Sequence, residues 1–457
     1  MAKRIAPIEK NRRKLNLPRL LVFGFLFIIL AGALLLTLPV AAEDGASTPL
    51  INTLFTATSA TCITGLVVYD TATQWSFFGE AVILCMIQIG GLGFMTLGSA
   101  LILLLRGDSS LSNRKQIAES LNMTDYKTAA RTMKHVLLGT ALFEGTGALI
   151  LSARFIPEYG WWEGIWKGCF VSVSAFCNAG FDLLGTDAPF SSLTGYAGDV
   201  TVNLTVMGLI VIGGLGFLVW EDLYTKRRWK NLSLFSKTVL ILTASLILGG
   251  AFFIFLFEFD NAATLEGLTW SEKILTSFFQ SISPRTAGMN TIDLTAMTEA
   301  SQVLTILLMF IGASSGSTGG GVKVTTVAVL AAAIRSVLTG RKDTILLKRR
   351  LSSDLVYRAF ALVFLPIVAI LICTFLINGI EPEISFLEAL YECTSAFATV
   401  GLSLSVTPTL TALSKVLLML LMFSGRVGML TISYALLTDR RKRQNTLRYP
   451  EGDILIG

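Results

Sequence analysis

Charge is the scarcest ingredient of this chain. Of its 457 residues only 15% are Asp, Glu, Lys or Arg, against 53% hydrophobic, and the mean hydropathy is +0.67. Soluble domains carry about a quarter charged residues, so the composition excludes a water-soluble fold and indicates an integral membrane protein. Histidine is nearly missing: His135 is the one copy, too few for a histidine metal site or a Ser/His arrangement, and it reads as structural. The six cysteines show no CxxC spacing. Cys62, Cys85, Cys177 and Cys393 lie in or near apolar stretches, where buried thiols are expected rather than disulfides or metal ligands. Paired carboxylates are absent from the apolar stretches, which argues against an intramembrane enzyme. Repeated arginines are absent from them too, which argues against a voltage sensor.

What is present is length without charge. The stretches 20–42, 81–105, 201–220, 238–257, 300–322 and 359–380 carry no charged residue. Each reaches the roughly 20 residues that a spanning helix needs. Two more, 135–153 and 416–438, reach that length with one ionisable residue inside, Glu144 and Arg426 respectively. Eight spans are therefore expected. The first follows a basic start, but it is too long for a signal h-region and has counterparts downstream, so it is read as a retained helix.

The basic residues sort. The segments 1–19, 106–134, 221–237, 335–358 and 438–457 hold 30 of the 37 Lys and Arg, whereas the remainder holds 20 of the 31 Asp and Glu. Positive residues stay on the cytoplasmic side, which places these segments and both termini inside. The net charge of +6 is thus a topology signal, and nucleic-acid binding, which needs a clustered basic face on a folded domain, is not indicated.

Between successive basic segments lie two spans, with a short apolar segment between them. These short segments are alike: Ser59-Ala60-Thr61-Cys62-Ile63-Thr64-Gly65, Ser174-Ala175-Phe176-Cys177-Asn178-Ala179-Gly180, Ile282-Ser283-Pro284-Arg285-Thr286-Ala287-Gly288, and Ser395-Ala396-Phe397-Ala398-Thr399-Val400-Gly401. The terminal glycines are 115, 108 and 113 residues apart. A second landmark recurs in each following span, at Gly90-Gly91-Leu92-Gly93, Gly213-Gly214-Leu215-Gly216, Gly312-Ala313-Ser314 and Gly425-Arg426-Val427-Gly428, offset by 25, 33, 24 and 24 residues from the loop glycine. Two landmarks in register four times make a fourfold repeat. Two soluble-protein motifs are rejected. Gly91-Leu92-Gly93 follows no strand, and in the stretch from Gly316 to Thr325 the lysine, Lys323, is followed by valine and lies within an apolar span.

The expected fold is all-α and membrane-embedded: four helix, pore-loop, helix repeats with pseudo-fourfold symmetry about a central pore. The repeats are expected over 20–106, 134–225, 237–340 and 355–438, flanked by cytoplasmic segments 1–19 and 439–457. Non-helical backbone survives at membrane depth only where protein buries it or it lines water. The short segments therefore read as re-entrant loops, each a half helix with its negative end toward the centre. Four such loops present rings of carbonyls able to replace water around a cation. Thr64, Gly65, Ala179, Gly180, Ala287, Gly288, Val400 and Gly401 are the expected filter. A protein that merely docks a cytoplasmic partner would have no use for four such loops.

These loops, the stretch from Gly312 to Gly321, Gly425-Arg426-Val427-Gly428 and the ending Arg448-Tyr449-Pro450-Glu451-Gly452 resemble the KtrB type of potassium transporter subunit, within the wider Trk, Ktr and HKT superfamily. The resemblance runs over the whole chain. It implies K+ as substrate at the filter residues, with no cofactor in this chain, and a bacterial plasma-membrane location. It also implies a homodimer with one pore per subunit, activation by Na+, and a cytoplasmic KtrA-like ring carrying ATP or ADP. Among such proteins glycine in all four loops accompanies potassium preference, and a serine in the first accompanies sodium preference in plant relatives; Gly65 resembles the former. A Na+-selective or unselective cation permease is the alternative.

The third repeat departs from the others. Gly312, Ala313, Ser314, Ser315, Gly316, Ser317, Thr318, Gly319, Gly320 and Gly321 put five glycines and four hydroxyl residues into ten positions of a span. Small residues serve close helix packing, but a run this dense is expected to unwind and line the water path. The resemblance implies an intramembrane gate loop here. Arg426 is expected to face the cavity as an electrostatic barrier touching that loop, and Lys323 to anchor it. Arg285 is expected to point behind the filter and pair with an acid such as Glu392, and Glu144 to hydrogen-bond between helices. The basic cytoplasmic segments suit a partner or anionic membrane lipid.

Overall fold

The computed structural model describes residues 17–93, 129–185 and 189–437. The basic N-terminal segment, most of the segment 106–134 and the tail containing Arg448-Tyr449-Pro450-Glu451-Gly452 lie outside the described residues.

The described chain is helical apart from loops and one hairpin, β1 (Ile345–Leu346) against β2 (Arg349–Arg350), with Ile345 opposite Arg350. That hairpin, in the basic segment 335–358, is the exception to an all-α fold. Each outer helix is long: α1 (Leu17–Thr37), α4 (Ala129–Tyr159), α8 (Leu234–Glu258) and α12 (Ser353–Ile380). Each leads to a shorter helix, respectively α2 (Leu50–Thr61), α5 (Trp161–Cys177), α9 (Trp270–Ile282) and α13 (Phe386–Ala398). A third set follows: α3 (Phe77–Leu92), α6 (Val200–Leu215) with α7 (Phe217–Lys226), α10 (Glu299–Phe310) with α11 (Val324–Leu338), and α14 (Ala412–Val427) with α15 (Met429–Leu437).

The long helices bury one face and expose the other. In α1, Ile29, Ala33 and Leu36 are buried at i, i+4 and i+7, whereas Phe23, Phe27 and Leu34 are 64%, 72% and 65% exposed. Large exposed apolar side chains on all four long helices fit a lipid environment. Lipid tails are as apolar as Leu, so packing and hydrogen bonds, not exclusion of water, hold these faces together.

The expected spans are not all continuous helices. Four helices among the described residues are long and apolar enough to cross a membrane, and a fifth span results if α6 and α7, bent by 91°, count as one. The spans expected over 81–105, 300–322 and 416–438 are not continuous helices, because each stops or breaks at the second landmark. Gly93, Gly216 and Gly428 end α3, α6 and α14 with φ of 79°, 92° and 89°. L side chains avoid that conformation, and glycine does not. Hydrophobic periodicity does not mark the break: a 3.6-residue apolar pattern continues through a glycine whether or not the backbone does.

The short helices α2, α5, α9 and α13 have 12, 17, 13 and 13 residues, below membrane length, and their inner ends are buried. Some of their buried hydroxyls bond back to the helix. Thr56 and Thr58 of α2 donate to the carbonyls of Asn52 and Leu54 at 3.0 and 2.7 Å. Starts are well marked. In α13 the Glu388 amide donates to the Ser385 hydroxyl, while the Glu388 carboxylate accepts from the Ser385 amide at 2.8 Å, a capping box.

Candidate functional site

The four short helices end on one backbone pattern. Two residues before each loop glycine the chain is left-handed: Ile63 (φ 54°), Asn178 (57°), Thr286 (75°) and Thr399 (53°). The glycines are left-handed as well, Gly65 at 89°, Gly180 at 75°, Gly288 at 78° and Gly401 at 97°. Positive φ is uncommon outside glycine and costly for the β-branched Ile63, Thr286 and Thr399. Its repetition at one position in four loops is therefore a shared device, and none of these four residues is among the eight expected at the filter.

The loops meet at these glycines in cyclic order. A Cβ added to Gly65 would lie 2.6 Å from the Ala179 carbonyl oxygen, and one on Gly180 would lie 2.9 Å from that of Ala287. One on Gly288 would overlap the carbonyl oxygen of Val400, and one on Gly401 that of Thr64. Each loop thus fits against the next and the fourth against the first. All eight residues expected at the filter take part, and no side chain fits between them. The Asn178 amide and the Thr286 hydroxyl meet at 3.0 Å and tie neighbouring loops together.

The two landmarks touch each other. A Cβ on Gly90, Gly213 or Gly425 would overlap the carbonyl oxygen of Thr61, Phe176 or Phe397, in each case the residue four before the loop glycine. The third set of helices therefore approaches the buried ends of the short helices at backbone distance, which explains why the two landmarks keep register.

On one side of the glycines lies a cavity of about 380 Å³, lined by all four of them together with Asp70, Asp182 and Asp293. These carboxylates are fixed by nearby amides. Asp70 accepts from Ala72 and Phe190 at 3.0 and 2.8 Å, Asp182 from Leu184 at 3.1 Å, and Asp293 from Thr295 at 2.9 Å. On the other side lies the segment 312–321. Gly319 and Gly320 leave no room for a Cβ against the hydroxyls of Thr286 and Thr399. The segment is not helical, and neighbours satisfy its backbone. Ser314 donates to the Gly214 carbonyl at 3.0 Å, Gly312 to that of Val322 at 3.0 Å, and the Gly316 carbonyl accepts from Phe217 at 2.9 Å. The Thr318 hydroxyl donates to Phe176 at 3.2 Å.

Two cations hold this segment. Lys323 Nζ donates to the carbonyls of Gly319 and Gly320 at 2.7 and 3.1 Å. Arg426 donates to the carbonyls of Thr318, Gly90 and Gly91, the last at 3.2 Å. Arg426 therefore links the segment to the end of α3.

The pairing of Arg285 with Glu392 does not form. Arg285 Nη2 donates to Thr243 on α8 at 3.2 Å. Glu392 accepts from the Ser403 hydroxyl, the Leu404 amide at 3.2 Å and the Thr407 hydroxyl at 2.7 Å. The carboxylate is consumed by the return path of its own loop, a role that local hydroxyls at 403 and 407 could have signalled. Glu144 accepts from Gln88 on α3 at 3.1 Å, a bond between helices. His135 pairs with Glu221 at 2.8 Å.

The family model described as "TrkH: Cation transport protein" matches residues 26–444. The potassium/sodium uptake protein NtpJ of Enterococcus hirae is 39% identical over 98% of this chain and 99% of its own. The Ktr system potassium uptake protein B of Bacillus subtilis is 38% identical over 96% of each chain. The crystal structure of the potassium transporter TrkH from Vibrio parahaemolyticus superposes with a TM-score of 0.70, covering 93% of this chain and 86% of that one, at 18% identity, a likeness of fold.

Proposed function

The chain belongs to the TrkH family of cation transport proteins, and on that premise we propose that it is the ion-conducting membrane subunit of a potassium uptake system. The observation that carries this reading is the cyclic fit of Gly65, Gly180, Gly288 and Gly401 against the carbonyls of the neighbouring loops. Backbone oxygens brought that close can replace the water around a dehydrated K+. The inner ends of α2, α5, α9 and α13 add the partial negative charge of helix C-termini.

In this reading 20–106, 134–225, 237–340 and 355–438 are four repeats with pseudo-fourfold symmetry about the pore, and the basic segments and both termini face the cytoplasm. The segment 312–321 is the gate, held across the path by Lys323 and Arg426. A cytoplasmic nucleotide-binding ring, binding ATP or ADP, displaces it. The "Ktr system" in the name of the Bacillus relative supports a partner subunit. A homodimer, Na+ activation and a bacterial plasma-membrane location belong to the same proposal.

The name of the Enterococcus relative, a potassium/sodium uptake protein, favours a second reading as a permease that also passes Na+. Rubidium uptake into liposomes holding the purified chain, with and without competing Na+, separates the two. Uptake that resists Na+ and falls at least tenfold in Gly401→Ser supports a potassium filter. Equal competition by Na+, or uptake indifferent to Gly401→Ser, overturns it.

A further inference from the structure

Lys323 and Arg426 also line a second cavity, of about 190 Å³, bounded by α11, α12, α14 and α15. Three features set it apart from the ion path. Its outer wall is α12, a peripheral helix, and its wall residues Leu362 and Leu365 are 37% and 40% exposed on the surface that faces lipid. Its lining is mostly apolar, with Ala361 and Pro366 completing the wall. Its two charged groups are both cations, and no carboxylate pairs with either among the described residues; their acceptors are backbone carbonyls. A buried cation without a counter-ion is costly. An ammonium has three donors, and Lys323 uses two.

We propose that this crevice binds a single-chain fatty acid, its carboxylate at Lys323 and Arg426 and its tail along α12. The charge pattern calls for an anion, and the apolar wall calls for a hydrocarbon. Depth selects the headgroup. Lys323 precedes α11, whose 15 residues place it roughly 22 Å along the helix axis from the helix's far end. A phosphodiester is tied to the membrane surface, whereas a fatty acid reaches that depth in its neutral form and ionises beside the cations. The bound carboxylate competes with the carbonyls of Gly319 and Gly320 for Lys323. It thereby loosens the segment 312–321 and raises ion uptake. Only this last step rests on the transport reading.

The test uses the purified full chain. Retention of radiolabelled oleate is measured in detergent, and rubidium uptake is measured in phosphatidylcholine vesicles with and without oleate. Ala361→Trp and Leu365→Trp fill the crevice without touching the glycine ring. Saturable oleate retention, lost at least tenfold in both variants and not competed by methyl oleate, is the expected binding result. A several-fold oleate-dependent rise in uptake, absent from both variants with basal uptake unchanged, is the expected functional result. Retention that is unsaturable, or that survives both substitutions, overturns the site. The same stimulation by phosphatidylglycerol vesicles without oleate overturns the fatty-acid assignment in favour of a lipid headgroup. A chain that moves no rubidium but retains oleate as described leaves the site standing and removes the transport reading.

Discussion

A Cβ built at Gly213 would overlap the carbonyl oxygen of Phe176, and the same holds for Gly90 with Thr61 and Gly425 with Phe397. Backbone cannot yield as a side-chain tip can. Gly213→Ala and Gly425→Ala are therefore expected to destabilise by roughly 1–3 kcal/mol through overpacking, read as a lower thermal midpoint in detergent. Gly208, inside α6, and Gly249, inside α8, meet nothing within 4 Å. Alanine there is expected to be neutral or to stabilise by about 0.5–1 kcal/mol, since glycine weakens a helix interior. Equal midpoints for both groups would refute the close-approach argument. Glu381, just past α12, accepts from the Thr411 amide and the Ser414 hydroxyl, each at 2.9 Å. The Thr411 amide, aided by the Thr411 and Ser414 hydroxyls and opposed by slight burial, holds its carboxyl below the usual carboxylate range. A depressed carboxyl stabilises the fold above its unfolded value, and that contribution is lost as pH falls through the folded value. Glu381→Gln should therefore unfold earlier than the parent at neutral pH. The gap should narrow as the pH falls below the ordinary carboxylate range and through the carboxyl's own depressed one. A gap that persists there would show that the carboxyl's charge is not the cause.

At the scale of elements, the third set of helices is the one that departs from a spanning rod. A single left-handed glycine ends α3, α6 and α14, and α6 and α7 meet at 91°. Between α10 and α11 the break is longer, with the ten residues 312–321 out of helix. The longer break reaches the underside of the glycine ring because Gly319 and Gly320 carry no Cβ against Thr286 and Thr399. Removing 317–320 should raise rubidium uptake several-fold without any partner. Arg426→Gln should do the same, because it releases the carbonyls of Thr318, Gly90 and Gly91 together. It should also cost about 3 kcal/mol of stability, as expected for lost bonds to a charged donor in a buried setting. Unchanged uptake in a folded deletion variant would remove the gate from the proposal.

At the scale of the molecule, the four loops that form the ring lie more than a hundred residues apart in sequence. The cavity on the side away from the segment 312–321 gathers Asp70, Asp182 and Asp293 from three of them. Like charges in a narrow mouth concentrate cations, and the effect fades with ionic strength. Asp182→Asn combined with Asp293→Asn should lower rubidium uptake two- to fivefold at low ionic strength and little in about 0.5 M salt. A salt-independent loss would indicate damage to the loops instead.

Membrane class, the two landmarks and their register, and the residues of the ring were all legible in the chain, because they rest on composition and on spacing. Scarce charge and long apolar stretches state the solvent, and a spacing that recurs four times marks the loop glycines, without any knowledge of contacts. Three things were decided only in the tertiary structure. Gly90, Gly213 and Gly425 pass the carbonyls of Thr61, Phe176 and Phe397, residues distant in sequence, and the third set of helices breaks three residues further on, at the left-handed Gly93, Gly216 and Gly428. Glu392 serves Ser403 and Thr407 rather than Arg285, because a buried carboxylate takes the donors that the loop's return path brings to it. Lys323 and Arg426 share a cavity because α11 and α14 both pack against α12. Backbone approach and the competition among hydrogen-bond partners depend on three-dimensional distance, and hydrophobic periodicity carries no record of either.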